Sequence, residues 1–264
     1  MFSIIVCSHR AERGALIARH YAELFRDRIH EFILIDDAKS LCEGYTRGLA
    51  QSKGDLLIFS HDDIEFVLPN VAVTLEQHLS RYDAVGIGGT TKLIDGAWVT
   101  AGDPFTHCLV IYPDPGDTTM HTVKICGAAP LNIGNIQALD GCFIACRRVL
   151  AEKVGFDVKT FDGFHLYDLD FTFRAYLMGF NLAVCRDLPL IHTSQGNPDE
   201  EWNKYKLRFE AKHRSHLAIG QPATMRGAQV KLPKEKLAAH MQNGMNVTMV
   251  DRLTESTTAT THGV

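Results

Sequence analysis

Apolar runs and amphipathic stretches alternate through the first ninety residues. Residues 2–7 form an apolar run that predicts a buried strand, and residues 11–25 place Leu16, Ile17, His20, Tyr21 and Leu24 at helical spacing. Residues 31–35 predict a second strand, which ends in Asp36-Asp37. Ser40 is placed to cap a helix running to residue 53, with Leu41, Tyr45, Gly48 and Leu49 on one face. Gly54-Asp55 interrupts it, and a third apolar run at 55–60 leads straight into His61-Asp62-Asp63. A helix over 70–81 and a strand over 83–87 complete the series. Alternation of this kind, with strands apolar throughout, predicts an α/β fold: a mostly parallel central sheet flanked by helices.

The pattern changes at Gly88. Glycines, prolines and short alternating runs continue to about residue 136, predicting a small antiparallel, loop-rich insertion beside the site. Residues 139–148 then read as a buried strand ending in two arginines. A helix over 168–178 is stopped by Gly179, short strands follow at 181–185 and 188–191, and a charged amphipathic helix spans 200–216. The domain expectation is one unit over 1–220, a helical extension over 221–253 with a helix at 234–241, and a disordered threonine-rich tail over 254–264.

Composition narrows the function. Of 264 residues, 45% are hydrophobic and 22% charged, ordinary for a globular chain with a sizeable core. A net charge of -4 offers no basic footprint for nucleic acid, and no apolar stretch reaches membrane-spanning length. Residues 1–6 lack a basic leader and read as a strand, not a signal peptide. The seven cysteines are odd in number and lie mostly within apolar stretches, which fits reduced thiols and a cytoplasmic location. Cys142 and Cys146 have no second pair at zinc-finger spacing.

The chemistry-bearing residues cluster at strand ends. In an open α/β sheet, ligands bind outside the carboxyl ends of the strands, and two successive strands here deliver paired carboxylates there. His61, Asp62 and Asp63 suit a divalent cation, which would in turn hold phosphate oxygens; read alone, the two aspartates equally suit a turn. Asp36 and Asp37 suit a ribose or a base N–H, or a helix cap. Asp168 is a candidate general base or a helix cap, and His165 just upstream is a second candidate base. His192 follows a short apolar strand, from which it could reach the metal edge or serve only the fold. No glycine-rich phosphate loop is present, so phosphate binding would depend on a metal.

In this order the segments resemble family two glycosyltransferases of the GT-A fold, which use nucleotide-sugar donors. The residues that carry the resemblance are Ser3–Arg10, Ile35-Asp36-Asp37, Glu43–Ala50, Phe59–Asp63, Asp140–Phe143, Tyr167–Asp170 and His192, covering about 2–195. It implies donor contacts at Ser8, His9, Arg10, Asp36, Asp37, Arg47 and Asp62. It implies a metal site of Asp63 with His192 and His61 holding Mn2+ or Mg2+, an acceptor side at Asp140, Gly141 and Tyr167, and Asp168 as base. Three positions depart from the family pattern: His61 replaces the first carboxylate of D-x-D, Ala38-Lys39-Ser40 replaces the usual Gly-Ser, and Tyr167 replaces the Glu of an Glu-Asp pair. The implied reaction is sugar transfer, with inversion, from a nucleoside-diphosphate sugar (UDP favoured) to a glycan, lipid-linked or protein acceptor. Neither nucleic acid nor a membrane span is implied, and a homo-oligomer is left open. The competing readings are a nucleotidyltransferase and a non-catalytic nucleotide-sugar or carbohydrate-binding module.

Overall fold

The computed structural model describes residues 1–127, 131–194, 196 and 198–244. The tail over 254–264 and the end of the extension over 245–253 lie outside the described residues. In chain order the elements are β1 (Phe2–Cys7), α1 (Ala11–Leu24), β2 (His30–Ile35), α2 (Leu41–Gln51), β3 (Leu56–Ser60), β4 (Ile64–Phe66), α3 (Val71–Leu79), β5 (Ala84–Gly86) and β6 (Gly88–Thr90). They continue with β7 (Thr106–Pro113), β8 (Met120–Cys126), β9 (Asn132–Ile133), β10 (Ala138–Leu139), β11 (Phe143–Arg147), α4 (Arg148–Val154), α5 (Tyr167–Leu177), β12 (Leu182–Cys185), β13 (Leu190–His192), α6 (Glu200–His213) and β14 (Gly227–Pro233).

Two sheets organise the chain. The first has the order β2-β1-β3-β11-β5-β12-β9. Strands β1, β2 and β3 pair in parallel, β11 runs antiparallel between β3 and β5, and β5 and β12 are parallel again. Its strands alternate between two buried faces. Ile5, Leu57, Phe59, Ile144 and Val184 enter one core, while Ile4, Val6, Ile58, Ala145 and Ala183 enter the other. That alternation explains why these segments read as unbroken apolar runs: both faces are covered. The second sheet runs β10-β6-β7-β13-β4, with β8 and β14 joined to β7. It contains the antiparallel insertion expected from residue 88 onward.

Two local expectations are corrected. The predicted strand over 139–148 is interrupted at Asp140-Gly141. Residues before the turn pair with β6 in the second sheet, residues after it pair with β3 and β5 in the first, and the chain becomes helix at Arg148. The extension beyond residue 220, expected to be helical, contains β14, which pairs with β8 along its full length; a helix follows over 234–244, where one was expected over 234–241. Val230 and Leu232 alternate with Gln229 and Lys231, a period of two that suits a strand. Strand β4, only three residues long, lies in a stretch for which no element was predicted.

Helix α5 is anchored from its buried side. Asp170, 1% exposed, receives hydrogen bonds from Arg174 Nε (2.8 Å), Lys212 Nζ (2.5 Å) and His213 Nε2 (2.8 Å), tying α5 to α6. Burial alone would raise its pKa, but these partners, His213 foremost, hold it below the usual carboxylate value. Asp170→Asn leaves the cations without their carboxylate and is expected to cost about 3–5 kcal/mol in urea unfolding at pH 7. Because the folded-state pKa is depressed, that contribution is present above the unfolded value near 4 and fades as pH falls through the folded one. The difference between wild type and variant should shrink in acid.

Candidate active site

The sheet register lines up the predicted site residues. Ile35 pairs with Cys7 and Val6 pairs with Ser60, so Asp36, Ser8 and His61 leave three neighbouring parallel strands at one edge. Strand β11 runs the other way and starts at Phe143 opposite Ser60, bringing Asp140-Gly141-Cys142 to that edge. His61 N–H donates to the Cys142 carbonyl at 3.0 Å. In the second sheet His192 pairs with Ile64, which sets it beside Asp63.

His61, Asp63 and His192 converge there. Their candidate ligand atoms all lie within 4.8 Å of one another. His192 Nε2 is 3.4 Å from Asp63 Oδ1 and 3.4 Å from His61 Nδ1, and His61 Nδ1 is 3.9 Å from Asp63 Oδ1. The other Asp63 oxygen accepts the Ser194 N–H at 3.1 Å, which fixes the carboxylate. Burial pushes the Asp63 pKa up, but His192, His61 and Ser194 outweigh it and hold the group ionised. Burial and the neighbouring His192 lower the His61 pKa, keeping that imidazole neutral. One carboxylate and two imidazoles are a fitting donor set for a divalent metal of the first transition row.

Asp168 sits at the first turn of α5, one residue after Tyr167. Burial, reinforced by Asp140, pushes its carboxyl up to about 7, against the backbone N–H groups of Leu169, Asp168 and Gly141. Its side chain is still partly open to solvent. A carboxyl with a pKa near neutrality can accept a proton at physiological pH. Leu166, the residue just before the helix, is buried and holds φ at 60°, a left-handed conformation unusual for a branched residue. Backbone strain therefore sits at the start of the helix that carries Asp168. Gly141 lies against this turn: a Cβ there would overlap the Tyr167 hydroxyl and come within 2.8 Å of Asp168.

The remaining candidates take varied positions. Asp37 is exposed and bonded to Arg47 at 2.6 Å; that hydrogen bond lowers its pKa, and Arg47 also pairs with Glu43. Asp36 is exposed at the same strand end. Asp62 accepts from Ser8 Oγ at 2.5 Å and lies 3.8 Å from Arg13, pinning the loop after β1 to the end of β3. His9 and Arg10 are exposed on that loop, His9 with its ring edge-on to Phe164. His165 turns to Asp199, 4.0 Å away, and to the Tyr205 ring. Asp140 accepts from Trp98 Nε1 and the Cys142 N–H, both at 2.9 Å. Sequence reasoning did not anticipate Trp98 as a partner of Asp140, or the hydrogen bond between Tyr167 and His61. Neither link has a local signal, since each joins segments distant in the chain.

Residues 4–214 match the family described as "Glycosyltransferase like family". The chain belongs to that family. A protein of Fuscovulum blasticum, "ATP synthase subunits region ORF 6", is 24% identical over 172 residues, covering 63% of this chain and 62% of its own length. The chain therefore spans less than two thirds of that relative. Among solved structures, the mannosyltransferase PcManGT from Pyrobaculum calidifontis, in complex with GDP-Man and Mn2+, is 12% identical, with TM-score 0.46 and coverage of 91% of this chain and 68% of that one. GalNAc-T7 with UDP, GalNAc and Mn2+ is 13% identical, with TM-score 0.45 and coverage of 83% and 52%. The glycosyltransferase-like family match agrees with the resemblance carried by the sequence motifs. Among the described residues, no helix is long and apolar enough to cross a membrane.

Proposed function

We propose that this glycosyltransferase-like protein transfers a sugar from a nucleoside-diphosphate sugar, most readily a UDP-sugar, to an acceptor hydroxyl with inversion. The observation that carries the reading is the convergence of His61, Asp63 and His192 at the edge where Asp36 and Asp37 leave the sheet. A divalent cation bound there would supply positive charge to the diphosphate as it leaves. Asp63, His192 and His61 would hold that cation. Asp36 and Asp37, the latter oriented by Arg47, would accept hydrogen bonds from the nucleoside, and Asp62 would keep Ser8, His9 and Arg10 in place around the donor. Asp168 would take the acceptor proton, its raised pKa matching that task, whereas His165 is directed to Asp199. Asp140 and Gly141 would shape the acceptor side next to it.

Nitrogen-rich ligand sets favour Mn2+ over Mg2+, which prefers oxygen donors. Isothermal titration is expected to find Mn2+ bound at least about tenfold more tightly than Mg2+. Equal affinities would argue against imidazole ligation. The reading as a whole is tested by thermal shift with a panel of nucleotide sugars, with and without Mn2+. At about one hundred times Kd a bound donor contributes about 2.7 kcal/mol, a rise in Tm of several degrees. Binding without transfer or hydrolysis would indicate a non-catalytic binding module. Pyrophosphate release from a nucleoside triphosphate and a sugar phosphate would indicate a nucleotidyltransferase.

A further inference from the structure

His61 stands where the family pattern has a carboxylate, and a neutral imidazole can replace it as a ligand in only one tautomer. Such a ring carries one N–H and one lone pair. Nδ1 faces the cluster, 3.4 Å from His192 Nε2 and 3.9 Å from Asp63 Oδ1. Nε2 faces the Tyr167 hydroxyl at 2.9 Å, and that hydroxyl is also 2.8 Å from the Gly141 carbonyl oxygen.

The protons in this chain can be assigned. A carbonyl oxygen only accepts, so the phenol proton of Tyr167 goes to Gly141. The phenol oxygen is left with lone pairs facing His61, and Nε2 must supply the hydrogen. The reverse assignment would set the lone pairs of the Tyr167 and Gly141 oxygens against each other at 2.8 Å in a site where Tyr167 is only 4% exposed. Gly141 makes the seat for this hydroxyl, because a Cβ there would overlap it.

We infer that Tyr167 is a positioning residue that holds His61 as its Nε2–H tautomer, leaving Nδ1 as the third ligand atom of the cation site. The two departures from the family pattern, His61 for a carboxylate and Tyr167 for a glutamate, are then one linked feature. A hydrogen bond of this type to the far nitrogen fixes a ligand's orientation as well as its tautomer. The inference rests on the cation-site reading above.

Three measurements test it. Ring nitrogen NMR of the metal-free wild type should show His61 protonated at Nε2; protonation at Nδ1 would overturn the assignment without any variant. Tyr167→Phe keeps the ring, which packs 5.6 Å from Tyr45, and removes only the hydroxyl. With its fold verified by Tm, this variant should show mixed His61 tautomers and an Mn2+ affinity about 10–100-fold weaker by EPR titration. The same substitution in a His61→Ala background should change Mn2+ affinity less than about twofold, because Tyr167 acts through His61. An equal loss in both backgrounds would indicate a merely structural role and overturn the inference. Wild type that binds Mn2+ while Tyr167→Phe binds it equally well overturns only this inference. Wild type that binds no Mn2+ removes the cation-site reading as well.

Discussion

Asp168→Asn is expected to lower kcat by about two to four orders of magnitude while leaving the nucleotide-sugar Tm shift within about one degree of wild type. Asparagine retains the shape of the side chain and its hydrogen bonds from backbone N–H groups, but it cannot take a proton. Steady-state kinetics alongside donor titration check this; a matching loss of donor affinity would remove Asp168 from the role of base. The pH profile gives a second reading. Only the ionised form works, so log kcat/KM of the wild type should climb with unit slope below about pH 7 and level off above it. Stability should run the other way. A carboxyl whose folded pKa is raised favours the folded state least when ionised, so its unfavourable contribution grows as pH rises from about 4 through 7. With partial exposure discounted, Asp168→Asn should be more stable than wild type by roughly 1–3 kcal/mol at pH 8, and close to equal at pH 4. The residue that carries the chemistry would then be one whose loss firms up the fold.

Asp63→Ala is expected to abolish Mn2+-dependent donor binding and to reduce kcat/KM by at least about 10³-fold. Asp63 is the sole carboxylate of the ligand cluster, and its second oxygen also holds the Ser194 N–H. Truncation would leave the two imidazoles without the carboxylate's negative charge, and they would attract a cation far less. The Tm response to UDP-sugar with Mn2+ should fall to the response without metal. A variant that keeps the full Mn2+-dependent shift would place the metal, and with it the donor diphosphate, elsewhere.

Much of this arrangement was legible in the chain because it rests on short-range pattern. Strands β2 and β3 are apolar runs followed at once by polar and charged residues, so Asp36, Asp37 and Asp63 could be assigned to one sheet edge from the sequence. His192 could be placed there because it ends an apolar run late in the chain. The turn at Asp140-Gly141 was not legible, since a strand passing from one sheet to the next looks continuous when both halves are apolar. Strand β14 was not anticipated because its period of two rests on only Val230 and Leu232, a short signal within an extension read as helical. The division of labour on α5 lay deeper still. Asp168 and Asp170 are two positions apart and chemically identical, yet one opens on the site and the other is clamped by Arg174, Lys212 and His213. The helical turn puts them on different faces. Which face meets which neighbour is decided by α6, more than thirty residues downstream.

The pairing of two imidazoles with one carboxylate also has a bearing on the bench. Sites of this kind bind the late first-row ions more tightly than manganese, with nickel, copper and zinc all above it in the usual affinity order. A preparation passed over a nickel column presents the protein with such an ion at high concentration. On the proposed cation site, material handled that way would enter an assay already loaded with the wrong metal. Stripping with a chelator before Mn2+ is added belongs in the protocol from the start, because an inactive first preparation would otherwise be mistaken for an inactive protein.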